Sequence, residues 1–110
     1  MDINTFSEDL LQALAKTRLI QRVTLQTEGP IVNGYAYMRE DVYLRFYYNE
    51  NTDTMAFALI AEQQRIWGID HDNLRGWHIH PAGSPTSHVK IESMSVPEIV
   101  LQLEKIILMI

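Results

Sequence analysis

Between Gln21 and Ile69 the apolar residues recur at every second position, in short runs broken by turn residues. That alternation admits little besides a sheet, because residues i and i+2 share one face of a strand. Gln21 to Thr27 runs to a turn at Glu28-Gly29-Pro30. Ile31 to Arg39 follows, with Tyr35 and Tyr37 on one face and Gly34 marking a bulge or a close backbone approach. In Val42 to Tyr48, the residues Val42, Leu44, Phe46 and Tyr48 alternate with Tyr43, Arg45 and Tyr47. The polar loop Asn49 to Asp53 reads as a hairpin. Thr54 to Ala61 is nearly all apolar, as expected of a central strand covered on both faces. A shorter run, Arg65 to Ile69, comes next.

Period 3.6 brackets this region. Thr5 and Glu8 form a capping-box pattern, and Phe6, Leu10 and Leu14 recur at i, i+4 and i+8, which predicts a helix of about three turns. Ser95-Val96-Pro97-Glu98 is a second capping box. Val96, Ile99, Val100, Leu103, Ile106, Ile107 and Ile110 mark one wide apolar face behind it. That stripe is a core face first and a homodimer surface second. The fold class is therefore α+β: an N-terminal helix, an antiparallel meander of about five to seven strands, and a C-terminal amphipathic helix packed on the sheet. A length of 110 residues makes residues 1–110 one domain.

Composition removes several function classes. The chain has no cysteine, which excludes a thiolate zinc site and a cysteine nucleophile. A net charge of −5 argues against a protein held on nucleic acid by bulk electrostatics, while leaving room for a small local basic site. Met1-Asp2-Ile3-Asn4 has neither a basic nor an apolar leader region, and no run reaches the roughly 18–20 apolar residues of a bilayer span. The expectation is a soluble cytoplasmic protein without a membrane role.

All four histidines lie between positions 71 and 88. Trp77-His78-Ile79-His80 reads as a strand stopped by Pro81, with Trp77 and Ile79 toward the core and His78 and His80 on the opposite side. In His88-Val89-Lys90-Ile91-Glu92 the same alternation puts His88, Lys90 and Glu92 on one face. If residues 81–87 close a hairpin, symmetric pairing sets His80 opposite His88 and His78 opposite Lys90. A loop of that length does not by itself fix the register.

Such a face suits three roles. Histidines transfer protons near neutral pH and cations stabilise a phosphorane, so His78, His80 and His88 with Arg75 and Lys90 are candidates for phosphodiester cleavage without a cofactor. His-x-His is also a chelate: His78 and His80, joined by His88 or Asp72, could hold zinc or iron. The third role is a surface that binds a partner. Asp70 and Asp72 with Asn73 flank a turn, and their plainest role is turn chemistry. The paired tyrosines are read first as sheet packing and second as a base-stacking platform.

The stretch from about Arg65 to Ile107 resembles the TumE-like toxin family of bacterial and archaeal toxin–antitoxin modules. The resemblance rests on Asp70-x-Asp72-Asn73 after a strand, on His78-Ile79-His80-Pro81, on the Ser/Pro-led helix at 95–110 and on the tyrosine-rich strand Val42–Tyr48. It implies a small cytoplasmic toxin with a cognate antitoxin partner and RNA as target. Gly76 to Pro81, followed by Pro85 and Ser87, is also similar to the JAMM metalloprotease signature. The aspartate ligand of that signature falls here on Lys90 or Ile91, so its metal site lacks a ligand.

Overall fold

The computed structural model describes all residues from 1 to 110. Helix α1 (Ile3–Thr17) leads into seven strands, β1 (Arg22–Glu28), β2 (Ile31–Arg39), β3 (Val42–Asn49), β4 (Thr54–Ala61), β5 (Gln64–Asp72), β6 (Gly76–His80) and β7 (Val89–Lys90), and helix α2 (Val96–Ile107) closes the chain. The sheet order is β1-β2-β3-β4-β5-β6-β7. Every neighbouring pair is antiparallel, as the meander reading expects. No helix is long and apolar enough to cross a membrane.

The alternation in the strands becomes two unlike faces. Phe46, Tyr48, Leu44, Met55, Phe57, Leu59, Trp67 and Ile69 join Phe6, Leu10 and Leu14 of α1 and Val96, Ile99, Val100 and Leu103 of α2 in one buried cluster. Phe6 stacks on Tyr48 with ring centroids 4.9 Å apart. Burying each such side chain stabilises the fold by roughly 1.5–3 kcal/mol, so both helices are held on the same face of the sheet. The apolar stripe of α2 is spent largely in this core, leaving Leu101 and the end residues Leu108, Met109 and Ile110 exposed. Tyr48 reaches out of the cluster, its hydroxyl bonded to the Met1 carbonyl at 2.8 Å and to Asp53 at 3.1 Å.

Several details differ from the sequence reading. The N-cap of α1 is Asp2, whose carboxylate accepts the Thr5 N–H at 2.7 Å, and not Thr5 with Glu8. At α2 the Ser95–Glu98 capping box is complete in both directions. Strand β5 extends past Ile69 to Asp72, because its backbone stays paired with β4 and β6 after the apolar signal ends. Asp70 is thus a strand residue and not part of a turn. On the helix-free face of β4 no helix packs, yet Ala58 and Ile60 are buried among their neighbours, while Ala56 is half-open. Gly34 is a close approach, since a Cβ there would sit 1.9 Å from the Thr24 carbonyl oxygen of β1.

Candidate functional site

Register places the chemistry on the helix-free face. His78 pairs with Asp70 on one side and Lys90 on the other, while Ile79 pairs with Ile69 and Val89. The hairpin therefore takes the symmetric register, although β7 is only two residues long. Ile79 and Trp77 pack against the core as the period-two pattern requires. Burial runs against the simple expectation of imidazoles in solvent. His78 and His80 are only 4% and 2% exposed, whereas Trp77 and Ile79 are half-buried. The 81–88 loop accounts for this: the His88 ring lies 5.4 Å from that of His78 and 4.4 Å from that of His80. The loop is tied to β5 by the Arg65 guanidinium, which donates to the Pro85 carbonyl at 3.3 Å.

Asp70 organises the pair from behind. Its Oδ2 lies 3.0 Å from His80 Nε2 and 3.4 Å from His78 Nε2. With a carboxylate as acceptor, His80 donates from Nε2, and His78 Nε2 faces the same oxygen. The two Nδ1 atoms are then left buried without a partner. A buried nitrogen with no partner costs about 1–3 kcal/mol, so the site carries a standing deficit that a hydrogen-bond donor or a metal ion would relieve.

An open pocket of about 360 Å³ is lined by Leu74, Arg75, His78, His88 and Lys90. Four of the five residues singled out for phosphodiester chemistry thus meet in one cavity. His80 does not line it and sits behind, between Asp70 and the His88 ring. Desolvation first, then the charges of His80 and His78 when protonated, of Arg75 and of Arg65, hold the His88 pKa below the ordinary histidine value, which favours the neutral ring at pH 7. His71, the fourth histidine, is on the helix side against Trp77, with Nδ1 at 2.8 Å from the Asp53 carbonyl.

Asp72 does not join the cluster. Its Oδ1 accepts the backbone N–H groups of Leu74 and Arg75 at 2.9 and 2.7 Å, and its Oδ2 accepts the Arg75 Nε–H at 3.2 Å. Those bonds, that of the Arg75 backbone first, hold its carboxyl below the usual range. This is turn chemistry, and it also aims Arg75 at the pocket. The carboxylate near the imidazoles is Asp70, which the turn reading overlooked because it placed the strand end at Ile69.

One nitrogen each from His78, His80 and His88 lies within 4.8 Å of the others. Three imidazoles with a carboxylate behind two of them fit the donor chemistry of zinc. Lys90 opposes that fit, because its ammonium stands opposite His78 and lines the same pocket. Comparison with known proteins adds no relative: no family model, curated protein or solved structure matches this chain.

Proposed function

We propose that this protein is a toxin-like ribonuclease that cleaves phosphodiesters by histidine acid–base chemistry, working in the cytoplasm with a cognate antitoxin. The observation that carries the reading is the shared pocket of His78, His88, Arg75 and Lys90. Two cations suit the non-bridging oxygens of one phosphate, and two imidazoles suit the two proton transfers that transesterification needs. In this scheme neutral His88 takes the proton of the ribose 2′-hydroxyl. The 2′-oxygen attacks phosphorus and the bond to the 5′-oxygen breaks. His78, entering protonated, gives its proton to that leaving oxygen. The products are a 2′,3′-cyclic phosphate and a 5′-hydroxyl, and no redox partner is needed. Asp70 and His80 act as positioning residues, holding the rings and balancing the imidazolium charge.

The test is expression of the wild type and of His78→Ala and His88→Ala chains, read as growth arrest and as cleavage of a short RNA by the purified proteins. Wild type arrests growth and yields cyclic-phosphate ends, and each variant loses both. Unchanged arrest or cleavage in the variants overturns the reading. A second reading, a metal-dependent hydrolase, is favoured by the two partnerless Nδ1 atoms. In it His78, His80 and His88 would hold zinc, which when bound supplies Lewis-acid chemistry. Elemental analysis of untagged protein separates the two, since stoichiometric metal selects the second.

A further inference from the structure

Away from the histidine pocket, the helix-free face holds a larger feature that the cleavage chemistry does not use. Register sets Tyr35, Arg45, Ala58, Gly68 and His80 in one row across five strands. A second row runs Asn33, Tyr47, Ala56, Asp70, His78 and Lys90. Both rows carry a large side chain on β3, a small one on β4 and an imidazole on β6, and the first adds Tyr35 on β2. The result is a trough of about 470 Å³ floored by Ala56 and Ala58 and walled by Tyr35, Arg45 and Tyr47 on one flank and by Arg65 and Asp70 on the other.

The walls are dressed for a ligand. Arg45 has no carboxylate partner, and the Arg65 guanidinium has only the Pro85 carbonyl. Tyr35, Tyr37 and Tyr43 stand in a cluster with centroids 5.3–6.1 Å apart, and the Arg22 guanidinium lies 4.2 Å from the Tyr37 centroid. Unlike Tyr48, none of the four face tyrosines uses its hydroxyl in a hydrogen bond within the chain. Tyrosines that only packed the sheet would not need an alanine-floored cavity beside them. In a chain of net charge −5, the positive charge at this face is a local exception. Asp70, the one acid of the trough, is turned to account by the two imidazoles.

We infer that this trough is the track for single-stranded RNA, leading the strand across β3 and β4 to the histidine pocket. This deepens the ribonuclease reading and rests on it. Unpaired bases stack on the tyrosines and phosphates lie against Arg45 and Arg65, a combination that binds single strands with little sequence preference. Duplex RNA is excluded because its bases are paired and stacked on one another.

The experiment measures anisotropy of a labelled, short 2′-O-methyl oligoribonucleotide, which binds but has no 2′-hydroxyl to react, with the full chain. Wild type binds the single strand at least about tenfold more tightly than a duplex of the same sequence. Arg45→Ala/Arg65→Ala, both changes on partly or fully exposed side chains, weakens binding at least about tenfold and lowers the salt slope by about 1.4, or 0.7 per phosphate contact. Tyr47→Ala weakens single-strand binding with the salt slope unchanged. Equal affinity for duplex and single strand, or wild-type affinity in the double arginine variant, overturns the inference. The two proposals fail separately. Cleavage of a 2′-hydroxyl RNA with unchanged KM in the arginine variant removes the track and leaves the nuclease; tight binding without cleavage does the reverse.

Discussion

Asp70 makes its shorter bond to His80, 3.0 Å away and diagonal across the β5–β6 pair, and not to His78, which stands directly opposite it. One carboxylate oxygen thereby fixes two imidazoles whose side chains lie on the same face. Asp70→Asn keeps the shape but replaces a charged acceptor by an amide. The rings are then free to turn, and a loss of about 100-fold in kcat is expected for the proposed RNA cleavage from an ångström-scale misplacement. Unchanged kcat would show that the pair needs no orienting group. KM should change much less than kcat, because Asp70 acts on the imidazoles and only borders the trough.

In the proposed cleavage, His88 sets the acid limb of the pH profile. A base must be neutral to accept a proton, so activity falls as pH drops through its pKa. That value lies below 6.5, chiefly by desolvation and then by the charges of His80 and His78 when protonated, of Arg75 and of Arg65. The acid limb of kcat/KM is expected below 6.5 and should move up toward it in high salt, as the repulsion is screened. His88→Ala should remove about 10²–10⁴ of the rate together with that limb. A limb that stays in place in the variant would reassign the base.

Gly34 has no room for even one carbon. Its added Cβ would meet the Thr24 carbonyl oxygen at 1.9 Å and Phe46 at 2.8 Å. Backbone cannot yield as a flexible side chain does, so Gly34→Ala must push β1 off β2 or shift the core. A loss of about 1–3 kcal/mol in urea unfolding is expected. Amide exchange should rise first in β1, the edge strand.

The β4–β5 turn offers a change in the opposite direction. Glu62 and Gln63 both have positive φ, 51° and 68°, the signature of a type I′ turn made from residues ill suited to it. Gln63→Gly relieves a left-handed strain of about 1 kcal/mol. Thermal unfolding should shift upward, and the histidine pocket should be untouched.

The sheet was legible because it is strictly sequential. With each strand beside its predecessor, alternation within a run and a turn between runs specify both faces and neighbours. Val42 to Tyr48 shows this, since its buried and open positions match its apolar and mixed ones residue by residue. The pairing of His78 with Lys90 followed from the same period. Local pattern failed where tertiary cover decided the outcome. His78 and His80 are hidden by a loop whose path no periodicity encodes, and Ala56, in a run that reads as core, stays half-open at the floor of a trough. Asp70 was missed for a related reason. Strand β5 runs three residues past its apolar stretch, and the polar residues there looked like a turn.

The sequential order of the strands also makes the site a late product of synthesis. A ribosome delivers α1 and β1 to β5 before any of His78, His80, His88 or Lys90 has been added. Each of those strands finds its partner in the hairpin just made, so most of the sheet can form early. The two short strands and the loop over the imidazoles come next, and the packing of α2 closes the core. A growing chain therefore holds a nearly complete scaffold while it is chemically silent, and the histidine pocket exists only after its last cation, Lys90, has been made.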